Sequence, residues 1–427
     1  MESRPVQVSF GEAFRFWLKL GFISFGGPTG QIAIMHQELV ERRRWISEQR
    51  FLHALNFCMV LPGPEATQLA TYIGWLMHRT WGGVVAGGLF VLPSVFILIA
   101  LSWMYLTYGS VPVVAGIFYG IKPAVTAIVL VAAHRIGSRA LRHPALWAIA
   151  GAAFVAIFAF KLPFPVIVVA AGLIGYLGGR FYPGVFASNA GHKGQASYGP
   201  ALIDDDTPTP AHARFSWGKL SAYFAAGLAL WGLAIGALAV AYGQEGTLTQ
   251  MGIFFSKAAL LTFGGAYAVL PYVYQGAVEH YGWLTAPQMI DGLALGETTP
   301  GPLIMVVAFV GYVGAGVAGA LVATYFTFLP SFIFIFMGAP FIETTHGQLR
   351  FSAPLTGITA AVVGVILNLA LFFAWNVLWP QGSGGAFDWP SAAIGLAALA
   401  ALFRFKLGVI PVIGACALAG LAVTLMR

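Results

Sequence analysis

The chain has 427 residues, of which 59% are hydrophobic and 9% are charged, and its mean hydropathy is +0.81. A composition this apolar excludes a soluble globular domain. The formal net charge of +7 comes from few residues, and we expect no nucleic-acid partner. Apolar stretches of roughly 20 residues, long enough to cross a bilayer, recur along the chain. The sequence therefore predicts an all-α polytopic membrane protein.

The first unusual segment has the motif Phe-Gly-Gly-Pro at residues 25–28, and Leu-Pro-Gly-Pro follows at residues 61–64. Residues 10–44 as one straight helix would be about 52 Å long, which exceeds the roughly 30 Å hydrocarbon core. Residues 47–78 are too long for the same reason. Because glycine and proline break helices, we predict two re-entrant pairs of half-helices that meet at these motifs.

Apolar segments, a polar linker and one extra apolar segment follow. Residues 183–216 are polar and contain prolines and an aspartate run, so we expect a solvated cytoplasmic linker rather than a metal site. Residues 217–243 form a further apolar segment that has no counterpart ahead of the first motif. The apolar segments between the motifs and the linker complete a first repeat at residues 1–182, and they lie near 82–108, 112–138, 143–160 and 164–182.

The motif pair returns at a constant offset of 238 residues, as Phe-Gly-Gly-Ala at residues 263–266 and Thr-Pro-Gly-Pro at residues 299–302. Residues 244–427 are therefore interpreted as a second copy of the first repeat. The same offset, without a gap, aligns these further pairs: Phe16/Phe254, Lys19/Lys257, Gln37/Gln275, Val40/Val278, Glu41/Glu279, Trp45/Trp283, Leu55/Leu293 and Ala70/Ala308.

The extra segment also predicts how the repeats are oriented. If the first repeat crosses the membrane an even number of times, one additional crossing inverts the second repeat. The chain would then have about 13 hydrophobic segments in two inverted-topology repeats with Gly/Pro-broken half-helices, an architecture of secondary transporters. Most loop lysines and arginines fall on the side of the N-terminus, which places the N-terminus in the cytoplasm and the C-terminus in the periplasm.

The two motif regions carry a family resemblance. Residues 25–74 and their partner at residues 262–314 are similar to the two signature regions of the chromate ion transporter family, in its long two-domain form. The resemblance covers both halves and most of the chain. It implies a bacterial inner-membrane protein that exports chromate and confers chromate resistance, with sulfate as the related dianion, and two homologous domains of opposite orientation.

The residues themselves indicate how a dianion can be held. Half-helices begin after Pro28, Pro64, Ala266 and Pro302, and aligned N–H groups at helix N-termini bind anions. Glycines let a ligand approach the backbone, and hydroxyl and amide groups add neutral donors. In the alternative interpretation these polar groups only cap the half-helices. The candidate ligands are Gly26, Gly27, Thr29, Gln31, Gly63, Thr67, Gln68, Gly264, Gly265, Thr298, Thr299 and Gly301.

Lys19 and Lys257 stand six residues before the first phenylalanine of their respective motifs, in otherwise apolar segments. A lysine in a membrane segment is costly unless it is paired or solvated, so it indicates function. Both ammonium groups can face one central site and neutralise a dianion. Alternatively, each snorkels to an interface. Lys122, which precedes Pro123 and has no basic partner in the other repeat, is a further candidate for lining the site.

Few acidic or titratable groups lie near the motifs. Glu65, Glu297, Asp291 and His36 are candidates for coupling to protons, because protonation would admit an anion and deprotonation would expel it. Glu65 has a simpler role open to it, since a carboxylate at the first turn of a helix is favoured by the dipole. His36 can equally be structural.

The three arginines at residues 42–44 form a basic cluster between the predicted half-helix pairs. Arg42, Arg43 and Arg44 are predicted to form a vestibule that concentrates the anion at the cytoplasmic mouth. Alternatively, they set the topology and attract anionic lipid headgroups.

Several functions compete at this point. A transporter or channel for sulfate or another oxyanion shares the same features, and an intramembrane enzyme acting on an anionic lipid is a further alternative. No zinc motif or nucleophile–base arrangement supports the enzyme. We expect no cofactor and no metal, protons as a candidate coupling ion, membrane lipid around the chain, and we leave a homodimer open.

Overall fold

The computed structural model describes residues 7–25, 27–186, 198–345, 352–382 and 384–426. Gly26, a predicted site residue, lies outside the described residues. Within these ranges the regular structure is helical, apart from an isolated β-bridge between Ile46 and Ile203. Seven of the described helical segments are long and apolar enough to cross a membrane. The structure confirms the predicted all-α polytopic class.

The first repeat begins with two short half-helices, and a π-helical turn at Gln37–Arg42 follows the second of them. Long helices complete the repeat. Their side chains are apolar on nearly every face. The helices are α1 Phe10–Ile23, α2 Gly27–His36, α3 Glu48–Cys58, α4 Glu65–Tyr108, α5 Pro112–Ala140, α6 Pro144–Phe158, α7 Phe164–Phe181 and the short α8 Pro183–Phe186.

The second repeat follows the same order after one additional helix, α9. A second π-helical turn, at Gln275–His280, stands at the position equivalent to the first, and α10–α16 correspond to α1–α7. The helices are α9 Trp217–Tyr242, α10 Thr247–Leu260, α11 Ala266–Tyr274, α12 Ala286–Thr298, α13 Val306–Thr345, α14 Ser352–Leu378, α15 Trp389–Phe403 and α16 Val409–Met426.

The first pair of half-helices is re-entrant, as predicted. The Arg43 guanidinium lies 3.9 Å from a carboxylate oxygen of Glu12 and 4.9 Å from the ring centroid of Phe16. The rings of Phe16 and Trp45 are in edge contact, with centroids 4.9 Å apart. Because Glu12 and Phe16 belong to the first half of α1, the chain has returned to the side from which α1 starts.

The second pair of half-helices breaks at the Pro-Gly-Pro motif and turns again farther along. The α4 segment bends sharply at His78 and Arg79, where Arg79 has φ +58°. The α13 segment bends in the same way at Ala315 and Gly316, where φ is +62°. Each of these long segments is therefore a half-helix followed by a separate spanning helix.

Contacts at one end of the bundle show how the extra helix inverts the second repeat. His78 Nε2 lies 3.0 Å from the Val8 carbonyl oxygen, and the hydroxyls of Thr80 and Tyr223 are 2.7 Å apart. The starts of α1, of the second part of α4 and of α9 therefore share one end. Since α9 has 26 residues, it spans about 39 Å at the usual helical rise. The α10 helix thus begins at the opposite end from α1.

The two repeats are interlocked rather than side by side. The α5 helix packs against α15 and α16 of the second repeat, and α14 packs against α6 and α7 of the first. Glycines allow the closest approaches. A Cβ added at Gly120 would lie 1.9 Å from the Cys416 carbonyl oxygen, and one added at Gly357 would lie 2.4 Å from the Ala171 carbonyl oxygen.

Two parts of the predicted linker are described: residues 183–186, which form α8, and residues 198–216. The second part is packed against the first repeat. Ile203 and Ala213 are buried. The Ser47 N–H donates to the Ile203 carbonyl at 3.0 Å, and His212 Nε2 lies 3.1 Å from the Trp75 carbonyl oxygen. Burial lowers the pKa of His212. This stretch is therefore less solvated than its composition predicts.

Gly120→Ala is expected to destabilise the folded protein, because the added Cβ would meet the Cys416 carbonyl oxygen. Overpacking of this kind costs about 1–3 kcal/mol. Gly151→Ala on α6 is the matched control, since no atom lies within 4 Å of its added Cβ. Thermal unfolding of the purified protein measures both changes, and equal melting temperatures for the two variants would contradict this crossing.

Candidate anion-binding site

The broken helices of the two repeats meet through a reciprocal pair of backbone hydrogen bonds. The Gly63 N–H donates to the Thr262 carbonyl at 2.8 Å, and the Gly301 N–H donates to the Ser24 carbonyl at 2.7 Å. These are equivalent bonds, because Gly63 corresponds to Gly301 and Ser24 to Thr262 at the 238-residue offset. Each Pro-Gly-Pro motif is thereby joined to the end of the other repeat's first helix. We call this junction the crossover.

Polar side chains reinforce the crossover. Gln31 Nε2 donates to the Gly301 carbonyl at 2.5 Å and lies 3.4 Å from the Ser24 carbonyl oxygen. The Ser94 hydroxyl donates to the Pro300 carbonyl. Gln31 and Ser94 are fully buried. Side chains of the first repeat therefore bind the freed backbone of the second repeat.

Two pairs of glycines have different roles in the site. Gly63 and Gly301 have φ values of +129° and +103°, and an added Cβ would lie 2.3 Å from Ser331 Oγ or 1.8 Å from Ser94 Oγ. A side chain has no room there. Gly27 and Gly265 also have positive φ, but no atom lies within 4 Å of an added Cβ. They leave open space beside the starts of α2 and α11, as the prediction of close ligand approach requires.

The starts of three half-helices carry no side-chain cap. The residues before these starts have no side chain that accepts a capping hydrogen bond: Pro64 before α4, Gly265 before α11, and Pro302 before the short 3₁₀ turn that leads into α13. The N–H groups of the first turn therefore point past the helix end and have no side-chain cap there. The interpretation in which hydroxyl and amide groups serve only as caps does not describe these three ends.

Buried polar atoms around the crossover have no partner in the described part of the chain. They are the Oε1 atoms of Gln31 and Gln68 and the hydroxyl oxygens of Thr67 and Ser331. Gln31, Thr67 and Gln68 are fully buried, and Ser331 is 2% exposed. Each unmade hydrogen bond costs about 1–3 kcal/mol. The Thr67 and Ser331 hydroxyls are thus buried donors available to an oxyanion.

The other predicted threonines are arranged differently. The hydroxyls of Thr298 and Thr299 both donate to the Leu295 carbonyl, at 3.0 Å and 2.6 Å, so they are already satisfied within the last turn of α12. Thr29 is exposed on α2. Gln68 donates to the Pro62 carbonyl at 2.8 Å, which fixes its amide beside the first Pro-Gly-Pro motif.

Lys19 and Lys257 occupy equivalent positions on α1 and α10, and both side chains are exposed. Neither forms an ion pair with another residue in the ranges that the structure describes. They lie outside the buried crossover, in contrast to the predicted enclosed central site. Their part in anion binding stays a prediction.

The predicted proton-coupling residues lie in four separate environments. Glu65 is half-buried in the first turn of α4. Glu297 accepts a hydrogen bond from the Tyr267 hydroxyl. His36 lies between two carboxylates, with Nδ1 3.1 Å from Glu41 Oε1 and Nε2 in contact with Glu48. The structure therefore gives His36 neighbours with a structural role, away from the crossover.

Asp291 forms a buried cluster that the sequence did not predict. Its Oδ2 atom accepts a hydrogen bond from the Tyr105 hydroxyl at 2.8 Å and lies 3.5 Å from Lys122 Nζ. Asp291 and Lys122 were each candidates, but nothing in the sequence indicated that they pair. Residues so far apart in the chain meet only because α12 packs against α5.

The basic cluster is partly neutralised. Arg42 Nη1 lies 2.7 Å from Glu38 Oε1, and Arg43 Nε lies 3.3 Å from Glu38 Oε2. Burial raises the pKa of Glu38, but the hydrogen bonds and charges of the two arginines outweigh it and hold the pKa below its usual range. The predicted vestibule thus contains a compensating carboxylate.

The equivalent half-helices of the two repeats are unequally buried. Seven of the nine residues of α11 are buried, whereas only Gln31 and Met35 are buried in α2. His53 and Asn56 of α3 are half-buried. Their counterparts at residues 291 and 294 of α12 are fully buried. The α2 half-helix and these two positions of α3 are therefore more accessible than their counterparts in the second repeat.

Gly301→Ala is expected to disrupt the crossover, because the added Cβ meets the Ser94 hydroxyl at a strained φ. Gly282→Ala is the matched control, since Gly282 also has positive φ but no atom within 4 Å of its Cβ position. Thermal unfolding should show Gly301→Ala to be the less stable by about 1–3 kcal/mol. The crossover geometry is contradicted if the two variants unfold at the same temperature.

Comparison with known proteins agrees with this architecture. The family model described as chromate transporter matches residues 11–176 and 249–421. The chromate transport protein of Pseudomonas aeruginosa is 36% identical, with 98% of this chain and 94% of the relative covered. That of Cupriavidus metallidurans is 30% identical, with 92% and 87% covered. No solved structure matches. This chain, a multi-pass membrane protein and not an enzyme, belongs to the chromate transporter family.

Proposed function

We propose that this protein is a secondary transporter that exports chromate across the bacterial inner membrane and thereby confers chromate resistance. Family membership supports chromate as the transported ion. The observation that carries the mechanism is the crossover, where uncapped helix N-termini and unpartnered buried hydroxyls from both repeats come together. Sulfate, the related dianion, is a competing substrate.

The chemistry of the crossover suits a tetrahedral oxyanion. Helix N-termini carry partial positive charge that stays in place without forming the strong trap of a buried ion pair. The Thr67 and Ser331 hydroxyls donate to oxygens that the N–H groups do not reach. Gly27 and Gly265 let the anion approach the backbone closely. Lys19 and Lys257, exposed on α1 and α10, would add long-range attraction from equivalent positions.

The unequal burial of the two repeats supports alternating access. Inverted repeats can exchange conformations, so that each side opens in turn around a fixed site. The exposed face of α2 carries Thr29 and Ala33, which are small or polar enough to line a water-filled path. We infer that this conformation is open toward the Arg42–Arg44 side, with the hairpins of the second repeat closed.

Orientation follows from charge. The Arg42–Arg44 cluster lies at the same end as Glu12 and the start of α1. Cytoplasmic loops carry an excess of arginine and lysine, so we assign this end to the cytoplasm. The N-terminus is then cytoplasmic, the C-terminus is periplasmic, and the open side faces the compartment from which chromate must be exported.

Protons are the coupling ion that we propose, with Glu65, Glu297 and Asp291 as the carriers nearest the pathway. A carboxylate beside a bound dianion repels it, and protonation removes the repulsion. His36 is the weakest of the proposed carriers, because its contacts with Glu41 and Glu48 already give it a structural role.

The transport test uses inside-out vesicles that contain this protein in their membrane. Wild type is expected to accumulate chromate against its gradient when a proton gradient is imposed, with sulfate as a competitor. Thr67→Val should lower the apparent affinity about tenfold, the equivalent of losing one hydrogen bond to a charged group. Thr71→Val is the control, because its hydroxyl already donates to the Thr67 carbonyl at 2.8 Å.

The same vesicles separate the remaining possibilities. Accumulation that never exceeds the external concentration would identify a channel. Unchanged uptake by Thr67→Val would contradict anion binding at the start of α4. Lys19→Ala and Lys257→Ala should each weaken uptake, and intact uptake by both would remove the lysines from the proposal.

The basic cluster makes a separate prediction about salt. Neutralising Arg42, Arg43 and Arg44 together should raise the apparent KM for chromate at low ionic strength and flatten its dependence on salt, because screening acts on exposed charges. Uptake is measured from about 0.02 to 0.3 M salt, a range over which the screening length falls severalfold. An unchanged salt dependence would show that Glu38 and Glu12 already neutralise the cluster.

A further inference from the structure

An ion pair between a buried carboxylate and a half-buried ammonium stands apart from the crossover. Asp291 on α12 is 2% exposed. Its Oδ2 atom binds both the Tyr105 hydroxyl and the Lys122 ammonium, while its Oδ1 atom has no partner in the described chain. Lys122 from α5 and Tyr105 from α4 are the ionisable groups that contact this carboxylate. The carboxylate is thus only half satisfied, and the pairing distance of 3.5 Å is long.

Lys122 lies between two cavities. The first, of about 300 Å³, is also lined by Tyr105, Gln288 and Asp291. The second, of about 270 Å³, is also lined by polar groups that include Tyr119, Asn376, Asp388 and Ser391. The Tyr119 hydroxyl donates to Asp388 Oδ1 at 2.7 Å. Among the groups that line these two cavities, the ammonium of Lys122 is the cation.

The position of these cavities follows from the helices. The first cavity is lined by Gly109 and Ser110, which follow the end of α4. The second part of α4 starts beside Tyr223 at the cytoplasmic end and runs to Tyr108, a length of about 43 Å. The cavities therefore open toward the periplasmic end, and Lys122 lies about 15 Å into α5 from that end.

Pseudo-symmetry relates Lys122 to the anion site. Gly120 on α5 and Gly357 on α14 make equivalent close approaches to α16 and α7, and two residues beyond them stand Lys122 and Thr359. Thr359 Oγ1 would be 3.6 Å from a Cβ added at Gly264. In the second repeat, the position equivalent to Lys122 therefore borders that repeat's own Phe-Gly-Gly motif. Asp291 corresponds to His53, so the ion pair belongs to the periplasmic side alone.

We propose that Lys122 is an anion ligand on the periplasmic part of the pathway and that Asp291 holds its ammonium when no anion is bound there. The inference rests on the proposed function, since it adds a binding station to the same transport route. An oxyanion and the Asp291 carboxylate compete for one ammonium. When Asp291 takes a proton from the periplasmic water, Lys122 is released to the anion. When Asp291 loses that proton, it reclaims Lys122 and expels the anion.

A purely structural ion pair gives a different expectation. Breaking a buried pair by removing one partner destabilises a protein, whereas replacing both partners by neutral groups of similar size is often tolerated. A structural pair would thus lose activity in the single variants through misfolding and recover it in the double variant. If Lys122 is an anion ligand, activity would not return in the double variant, because no ammonium remains.

The experiment measures exchange of labelled chromate in proteoliposomes containing the full chain, together with thermal unfolding of each variant. Lys122→Gln is expected to slow exchange at least about tenfold. The double variant Lys122→Gln/Asp291→Asn should unfold at a temperature near wild type and yet remain as slow as Lys122→Gln. Lys161→Gln, which removes an exposed lysine from the loop before α7, is the control and should leave exchange unchanged.

Asp291→Asn adds a readout of the competition. Exchange by this variant should persist and should vary less with pH than that of wild type between about pH 6 and 8, because the competing carboxylate is gone. Protonation of chromate itself affects both proteins equally. Restored exchange in the double variant, or an unchanged pH profile in Asp291→Asn, would overturn the inference. A wild type that exchanges no chromate would instead overturn the proposed function, and this inference with it.

Discussion

Where a helix breaks inside a bilayer, its freed N–H and C=O groups have no water to bind, and each unpaired group costs several kcal/mol. At one N–H group of each break, the two repeats satisfy this constraint reciprocally. Gly63 donates to Thr262, and Gly301 donates to Ser24. Each of these two bonds requires both repeats, because the acceptor belongs to the other one. The duplication therefore supplies the partner that makes broken helices tolerable in the membrane.

The same reciprocity extends through the bundle. The last helices of each repeat pack on α5 or α14 of the other, and paired glycines allow equivalent close crossings on both sides. These contacts tie the helices that follow the crossover in one repeat to those of the other. The hairpins differ, since α11 is buried where α2 is accessible. A transporter that opens one side at a time requires a frame that stays symmetric and hairpins that take different conformations.

Charge is distributed along the pathway in a way that suits a dianion. In the proposed orientation, the arginines at the cytoplasmic end are partly neutralised by Glu38, and Lys122 on the periplasmic side is paired with Asp291. The crossover presents helix dipoles and hydroxyls rather than a full charge. A buried, unpaired cation would hold a dianion more tightly than a paired one. Paired cations instead give attraction that a proton or the anion itself can modulate.

The sequence alone determined the class, the repeat and the breaks, because hydropathy, a constant offset and the helix-breaking residues at positions 25–28 and 61–64 act locally. It also predicted the re-entrant return of Arg43. Only the tertiary structure decided which atoms meet: the crossover bonds, the exposure of Lys19, and the pairing of Lys122 with Asp291. These depend on how α5 crosses α12 and how one repeat exchanges contacts with the other, and packing between distant segments leaves no periodic signal in a chain.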